Sequence, residues 1–290
     1  MNRDEYLDYL DNVSDEHQRR LIISLNRLEQ NIARYASQAP TQDGQLFDLA
    51  WAINARVEIQ QQVQSELLSE FQDIVGEYAQ VSNELTGMLS EFGAFTSLPS
   101  ETIAQLQTLS FQGFEEIANT YAQTMSDEIY QYTLTGRTPE EMTQRLRGTI
   151  NGVYQQADKD EIDELVEIAN FGSDTAKLEA INRLHTVYGA DKLGNNLRRY
   201  ANVYIRDSIQ QFNAQATMAM ANQVGATEFQ YYGNSMKDTR DFCRKHAGKT
   251  YTKEEIYEIW ETEDWKGKSA GDPFIVRGGY NCRHHFLPLI

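Results

Sequence analysis

The sequence predicts a mainly α protein: a long helical N-terminal body, either a bundle or an extended arm, followed by a small C-terminal α+β module. Three observations carry this reading. Apolar residues recur at spacings of three and four over most of the first 225 residues. From Gly225 onward, glycines, aromatics and both cysteines gather in alternating, turn-rich segments. Charge divides at the same place: residues 226–290 hold 10 basic and 10 acidic side chains, whereas the first 225 hold 16 and 33, so the formal net charge of -17 belongs to the helical body.

The elements follow in order. After Ser14, Leu21, Leu25, Leu28, Ile32 and Tyr35 keep one stripe on one helical face. Pro40 and Gly44 break it. A second helix is expected from about Gln45 to Phe92, with Phe71, Ile74, Tyr78, Val81, Leu85 and Met88 in phase. At 1.5 Å per residue it would reach about 70 Å, the length of a rod or hairpin arm. Ser100 suits an N-cap after the Pro99 break, and the next stripe runs through Phe114, Ile117, Tyr121, Met125, Ile129 and Tyr132. Gly136 ends that helix, and Thr138, Pro139, Glu140 and Glu141 spell the start of another. Shorter helices are expected at 139–157, 159–170, 174–188 and 191–224, the last turning alanine-rich, as close packing requires. The acidic run 158–167 lacks the glycine and alternating ligands of a calcium loop and reads as a solvated face. The organisation expected is an acidic helical region at 1–195 and a C-terminal module with its entering helix at 196–290.

Composition excludes several classes. With 24% charged and 40% hydrophobic residues the chain is not a disordered polymer. A body this acidic opposes general duplex-DNA binding, since phosphate repulsion works against counterion release. No apolar run approaches the ~18–20 residues of a membrane span. The start, MNRDEYLDYLDN, has no secretory character, and two cysteines make no disulfide framework, so a reducing cytoplasm is the expected site of synthesis.

The chemistry concentrates near the C-terminus. Cys243, His246, Cys282, His284 and His285 lie within 43 residues, at spacings Cys243-x2-His246 and Cys282-x2-His285, with Cys282-x-His284 as the alternative. Soft sulfur and imidazole donors in pairs are what tetrahedral zinc takes, and a small module with a thin core gains from such a staple. If His284 and His285 lie in a strand they face opposite ways, so only one joins the centre. The pattern of a zinc deaminase is absent. A Cys–His nucleophile or a metal-dependent nuclease remains as the enzymatic alternative. His17 and His185 are isolated and read as structural or surface residues. Arg240, Arg244, Arg277 and Arg283 suit phosphate or pairing with Asp241 and Asp272, and the module's zero net charge favours pairing. Asp238 suits a turn, and Gly278-Gly279 a tight positive-φ bend.

These residues also carry a family resemblance. Asp238/Thr239/Arg240, Cys243/Arg244, Gly248/Lys249, Gly278/Gly279, Asn281/Cys282/Arg283/His284 and Pro288 stand in order, and residues 197–290 resemble the C-terminal region of the phage Mu F-like minor head protein family, the phage head morphogenesis proteins. Asp-Thr-Arg-Asp stands where that family more often has Arg-Thr-Arg-Pro, and His285 is an addition. The family pattern favours His284 as a ligand, whereas symmetric spacing favours His285. The resemblance implies a non-enzymatic virion protein made in the host bacterial cytoplasm. It would sit in the phage head at the portal vertex, as an oligomer or in multiple copies, and act in head assembly, DNA packaging or DNA ejection. Portal and capsid proteins would be its partners, with local contacts to packaged DNA. Asp238, Arg240, Arg244, Gly278, Gly279, Asn281 and Arg283 would be structural or partner-binding. Some relatives carry a toxin domain after this module, and with two residues following Pro288 none is expected here. The alternatives are a toxin-like nuclease or hydrolase, and a secreted effector that reuses the module.

Overall fold

The computed structural model describes residues 3–89, 97–152, 196–236, 239–279 and 282–289, with isolated positions at Glu164, Ile168, Ala176 and Glu179. Apart from those positions, the expected helices at 159–170 and 174–188 and the acidic run lie outside the described residues. So do His185, Asp238 and Asn281. The protein is mainly helical, with a long helical body and a small C-terminal module of short strands. Among the described residues no helix is long and apolar enough to cross a membrane.

The chain forms two compact units. One comprises residues 17–73 and 111–204, the other residues 1–16, 74–110 and 205–290. Helices α1 (Arg3–Ser37), α5 (Ser100–Leu134) and α7 (Leu197–Gln223) contribute residues to both.

In the first unit the α1 stripe is buried as expected, with Leu21, Leu25 and Leu28 at 0% exposure. Tyr35 stacks on Trp51 of α2 (Leu49–Gln62), ring centroids 5.1 Å apart. The rod expected at 45–92 is not formed. Asp43 and Gly44, both at positive φ, turn a two-residue hairpin between β1 (Thr41–Gln42) and β2 (Gln45–Leu46), so Asp48 rather than Gln45 begins the helix. A π-helical turn at Val63–Leu68 then inserts a wider loop of backbone. It buries Val63, Leu67 and Leu68 and brings Phe71 of α3 (Ser69–Gly76) into phase against Phe114, 4.1 Å away. Glu77 breaks the run before α4 (Tyr78–Leu89). On α5 the buried line passes through Phe114, Ala118, Ala122, Met125 and Ile129, and the larger Ile117 and Tyr121 flank it half-buried. Ser100 is the first residue inside α5, because the first helical bond runs from Ile103 N–H to the Pro99 carbonyl. Thr138 caps α6 (Pro139–Asn151) with a complete capping box through Glu141.

The second unit packs around the later part of α7, where Ile205, Ile209 and Phe212 are at 0% exposure. Tyr78 of α4 packs on Phe212 and shares a 2.7 Å hydrogen bond with Ser208. The C-terminal module holds a three-stranded antiparallel sheet in the order β4-β3-β5, with β3 Glu228–Tyr232, β4 Thr250–Thr252 and β5 His285–Leu289. The predicted strand alternation holds: Phe229 and Tyr231 are fully buried. Pro288 sits on the edge strand β5, where a missing N–H is tolerated. Three helices pack with this sheet: α8 (Asp241–His246), α9 (Lys253–Thr262, capped by Thr252 with Glu255) and α10 (Pro273–Val276). Phe242, Trp260, Phe274 and Phe286 form the core around Tyr231.

Candidate metal centre

Cys243 lies on α8, where the loop after β3 has brought the chain back over the sheet. The short helix leaves Phe242 and Cys243 facing the core, 4% and 2% exposed. Cys282 and His284 come from the segment that leads into β5. Both cysteines are free and buried, and the donor atoms of Cys243, Cys282 and His284 all lie within 4.8 Å of one another. This cluster could hold a metal ion.

The distances fit one. The two Sγ atoms are 3.7 Å apart and Cys282 Sγ is 4.0 Å from His284 Nδ1. Tetrahedral zinc with bonds near 2.3 Å to sulfur and 2.0–2.1 Å to nitrogen separates two sulfurs by about 3.8 Å, and sulfur from nitrogen by about 3.6 Å. His284 Nε2 is buried with no hydrogen-bond partner among the described residues. The His284 backbone N–H donates to Cys282 Sγ at 3.4 Å, a contact that favours negative sulfur.

Electrostatics sharpen the pair. The Cys282 thiol is held well below its usual value, first because the Cys243 S–H donates to it. His284 and Arg277 nearby add to this and outweigh burial. Cys243 is pushed up, chiefly by sharing that same proton and then by burial.

Two residues that the sequence did not single out for this role complete the setting. Tyr231, in the middle strand, places its Oη 3.3 Å from Cys243 Sγ and 3.5 Å from Cys282 Sγ, and stacks its ring on His284 with centroids 5.2 Å apart. Gly278 makes the space. A Cβ there would stand 2.4 Å from Cys243 Sγ, 2.8 Å from Tyr231 Oη and 2.9 Å from Cys282 Sγ. The positive φ expected of the glycine pair belongs to Gly279, at 101°, and a Cβ there would meet the Gly267 carbonyl oxygen at 2.0 Å. Gly278→Ala should therefore cost about 1–3 kcal/mol by overpacking and abolish metal uptake. Gly148→Ala, inside a helix with nothing within 4 Å, is the control in the same denaturation experiment and should instead stabilise by about 0.5–1 kcal/mol.

The other sequence-predicted residues are placed elsewhere. His246 is not at the cluster: its Nδ1 pairs with the Tyr251 hydroxyl at 2.7 Å and its Nε2 with Glu263 at 3.2 Å. His285 faces the opposite side of the strand start, as alternation requires, and does not join the cluster either. Its Nε2 donates to Gln210 Oε1 at 2.6 Å, and Asn213 Nδ2 donates to its Nδ1 at 3.4 Å. Tyr6 in turn donates to Asn213 Oδ1 at 2.8 Å, so His285 is held neutral at the end of a satisfied chain. Arg244 pairs with Asp241, and Arg277, fully buried, with Asp207. Arg283 lies 3.8 Å from Asp11, and Arg240 is the N-cap residue of α8. Asp272 caps α10 and accepts from Tyr257.

Burial, with Arg277 close by, depresses His285 to about 3. Its unfolded value is near 6.5, so the unfolded chain takes a proton first as pH falls. The stability tied to neutral His285 is present above about pH 6.5 and is lost at up to about 1.4 kcal/mol per pH unit between there and pH 3. Urea denaturation of the metal-free protein from pH 7 to 4 should show this slope reduced by one proton in His285→Gln.

No protein-family model, curated protein or solved structure matches the chain.

Proposed function

We propose that the chain is a minor structural protein of a tailed-phage head, associated with the portal vertex, and that zinc staples its C-terminal module. The supporting observation is convergence. The two separated motifs that carry the family resemblance, around Cys243 and around Cys282-Arg283-His284, meet at one buried centre 3.7 Å across its sulfurs. Cysteine sulfur and imidazole are the donor types zinc takes in structural sites, which hold four of them. Closure speaks for a structural role: Cys243, Cys282 and His284 are only 2–3% exposed. A catalytic metal keeps a position open to substrate. For this reason the reading of a metal-dependent nuclease or toxin-like hydrolase is less well supported, since His246 and His285 serve other partners.

On this reading the acidic body engages portal and capsid subunits, and its charge keeps it from spreading along packaged DNA. Head assembly, DNA packaging or DNA ejection is the process served. Proteomics of purified virions, together with co-purification of the tagged chain with the portal protein, tests it. Presence in the virion and a stable portal complex are expected. Absence from virions, with metal-dependent DNA cleavage that His284→Ala abolishes, would replace it with the nuclease.

A further inference from the structure

We propose that the phenol oxygen of Tyr231 is the fourth donor of the metal centre, closing a site of two cysteine sulfurs, one imidazole and one phenol oxygen, with the S–H and O–H protons released to solvent as the metal binds. This inference rests on the reading of Cys243, Cys282 and His284 as metal ligands and completes it.

Three protein donors leave a tetrahedral ion one position short, and a structural site fills that position from the protein. Geometry selects Tyr231. With metal–sulfur bonds near 2.3 Å and a metal–oxygen bond near 2.0 Å, the sulfur–oxygen edge of a tetrahedron is about 3.5 Å. Tyr231 Oη stands 3.3 Å and 3.5 Å from the two sulfurs, which are themselves 3.7 Å apart. The three atoms form one face of such a tetrahedron, and His284 Nδ1 lies 4.0 Å from its Cys282 corner. Gly278 keeps that face clear, because any Cβ there would fall within 3 Å of all three atoms.

The oxygen is also fixed in place. Tyr231 sits in the middle strand, its N–H donating to the Lys249 carbonyl at 2.9 Å and its carbonyl accepting from Gly248 N–H at 2.7 Å. Its ring is held between His284, Phe242 and Phe286. The residue is fully buried, and the hydrogen-bond contacts of its hydroxyl are to the two cysteine sulfurs. Other polar groups nearby are unsuited: the Trp265 indole N–H donates to the Gly278 carbonyl at 2.9 Å, and Arg277 offers only cationic N–H groups.

The test uses cobalt(II) as the probe, titrated into the metal-free full chain. Wild type should give the intense visible bands of a four-coordinate tetrahedral centre with thiolate charge transfer. Tyr231→Phe should bind cobalt roughly 10- to 100-fold more weakly. Its bands should weaken as water enters, while the melting temperature of the metal-free variant stays close to wild type. Pulsed EPR of wild-type cobalt protein in deuterium oxide gives a reading independent of any variant, and should find no water on the metal. A bound water, or a Tyr231→Phe protein with wild-type affinity and spectrum, would overturn Tyr231 as a ligand and leave the other three standing. A wild-type chain that takes up no cobalt would instead remove the metal reading itself, with Cys282→Ser as the reference for that outcome.

Discussion

Cys282→Ser should lower the melting temperature of the metal-loaded protein by roughly 10 °C. Metal at about a thousandfold its dissociation constant stabilises the native state by about 4 kcal/mol, and a unit of this size moves by a few degrees per kcal/mol. Serine keeps the shape but removes the sulfur that lies 3.7 Å from Cys243 Sγ and accepts from the His284 backbone N–H at 3.4 Å. Chelator should bring wild type down to the variant and leave the variant unmoved. His246→Ala should keep full chelator sensitivity, since that ring serves Tyr251 and Glu263. A thermal scan of wild type that is identical with and without chelator would sink the metal reading.

Arg277→Ala should destabilise the protein by about 3–5 kcal/mol, the cost of breaking a buried ion pair from one side. The guanidinium is at 0% exposure, bonds Asp207 at 3.0 Å and the Ile275 carbonyl at 2.7 Å, and reaches the Cys282 carbonyl at 3.3 Å. Its backbone stands at φ 59°, a strained conformation for a residue with a Cβ. Such a position is held only when the surroundings fix it. Asp207→Asn added to Arg277→Ala should recover part of the loss, because the stranded carboxylate is what makes the single change costly. Urea denaturation of the four proteins of the cycle measures this. A single-variant loss below about 1 kcal/mol would mean that Arg277 does not hold the loop carrying Cys282.

Much of the architecture is legible in the sequence because it is local. The stripe from Leu21 to Ile32, the Thr138 start and the Phe229/Tyr231 alternation each follow from one segment's own pattern. The 45–92 segment misleads for an equally local reason. Asp43-Gly44 is a hairpin signal as well as a helix break, and a π-helical turn leaves no mark in a stripe that stays in phase around it. At the site, spacing brings out the cysteines and the adjacent pair His284 and His285 but leans to His285, and it is where β5 begins that puts His284 beside the sulfurs. His246 lies three residues after Cys243, on nearly the same helical face, and only tertiary partners 5 and 17 residues onward take it away. Tyr231 and Gly278 cannot be read from sequence at all, since nothing in EFQYY or RGGY says that two sulfurs lie against them.

On the proposed reading, Cys243, Cys282 and His284 belong to a closed structural metal site. The most direct measurement is metal stoichiometry by native mass spectrometry of the full chain after reconstitution with zinc and removal of excess. One zinc per chain in wild type, and none in the Cys243→Ser and Cys282→Ser proteins, is the result expected. A folded wild-type chain that retains no metal, or one whose zinc survives both substitutions, would contradict it.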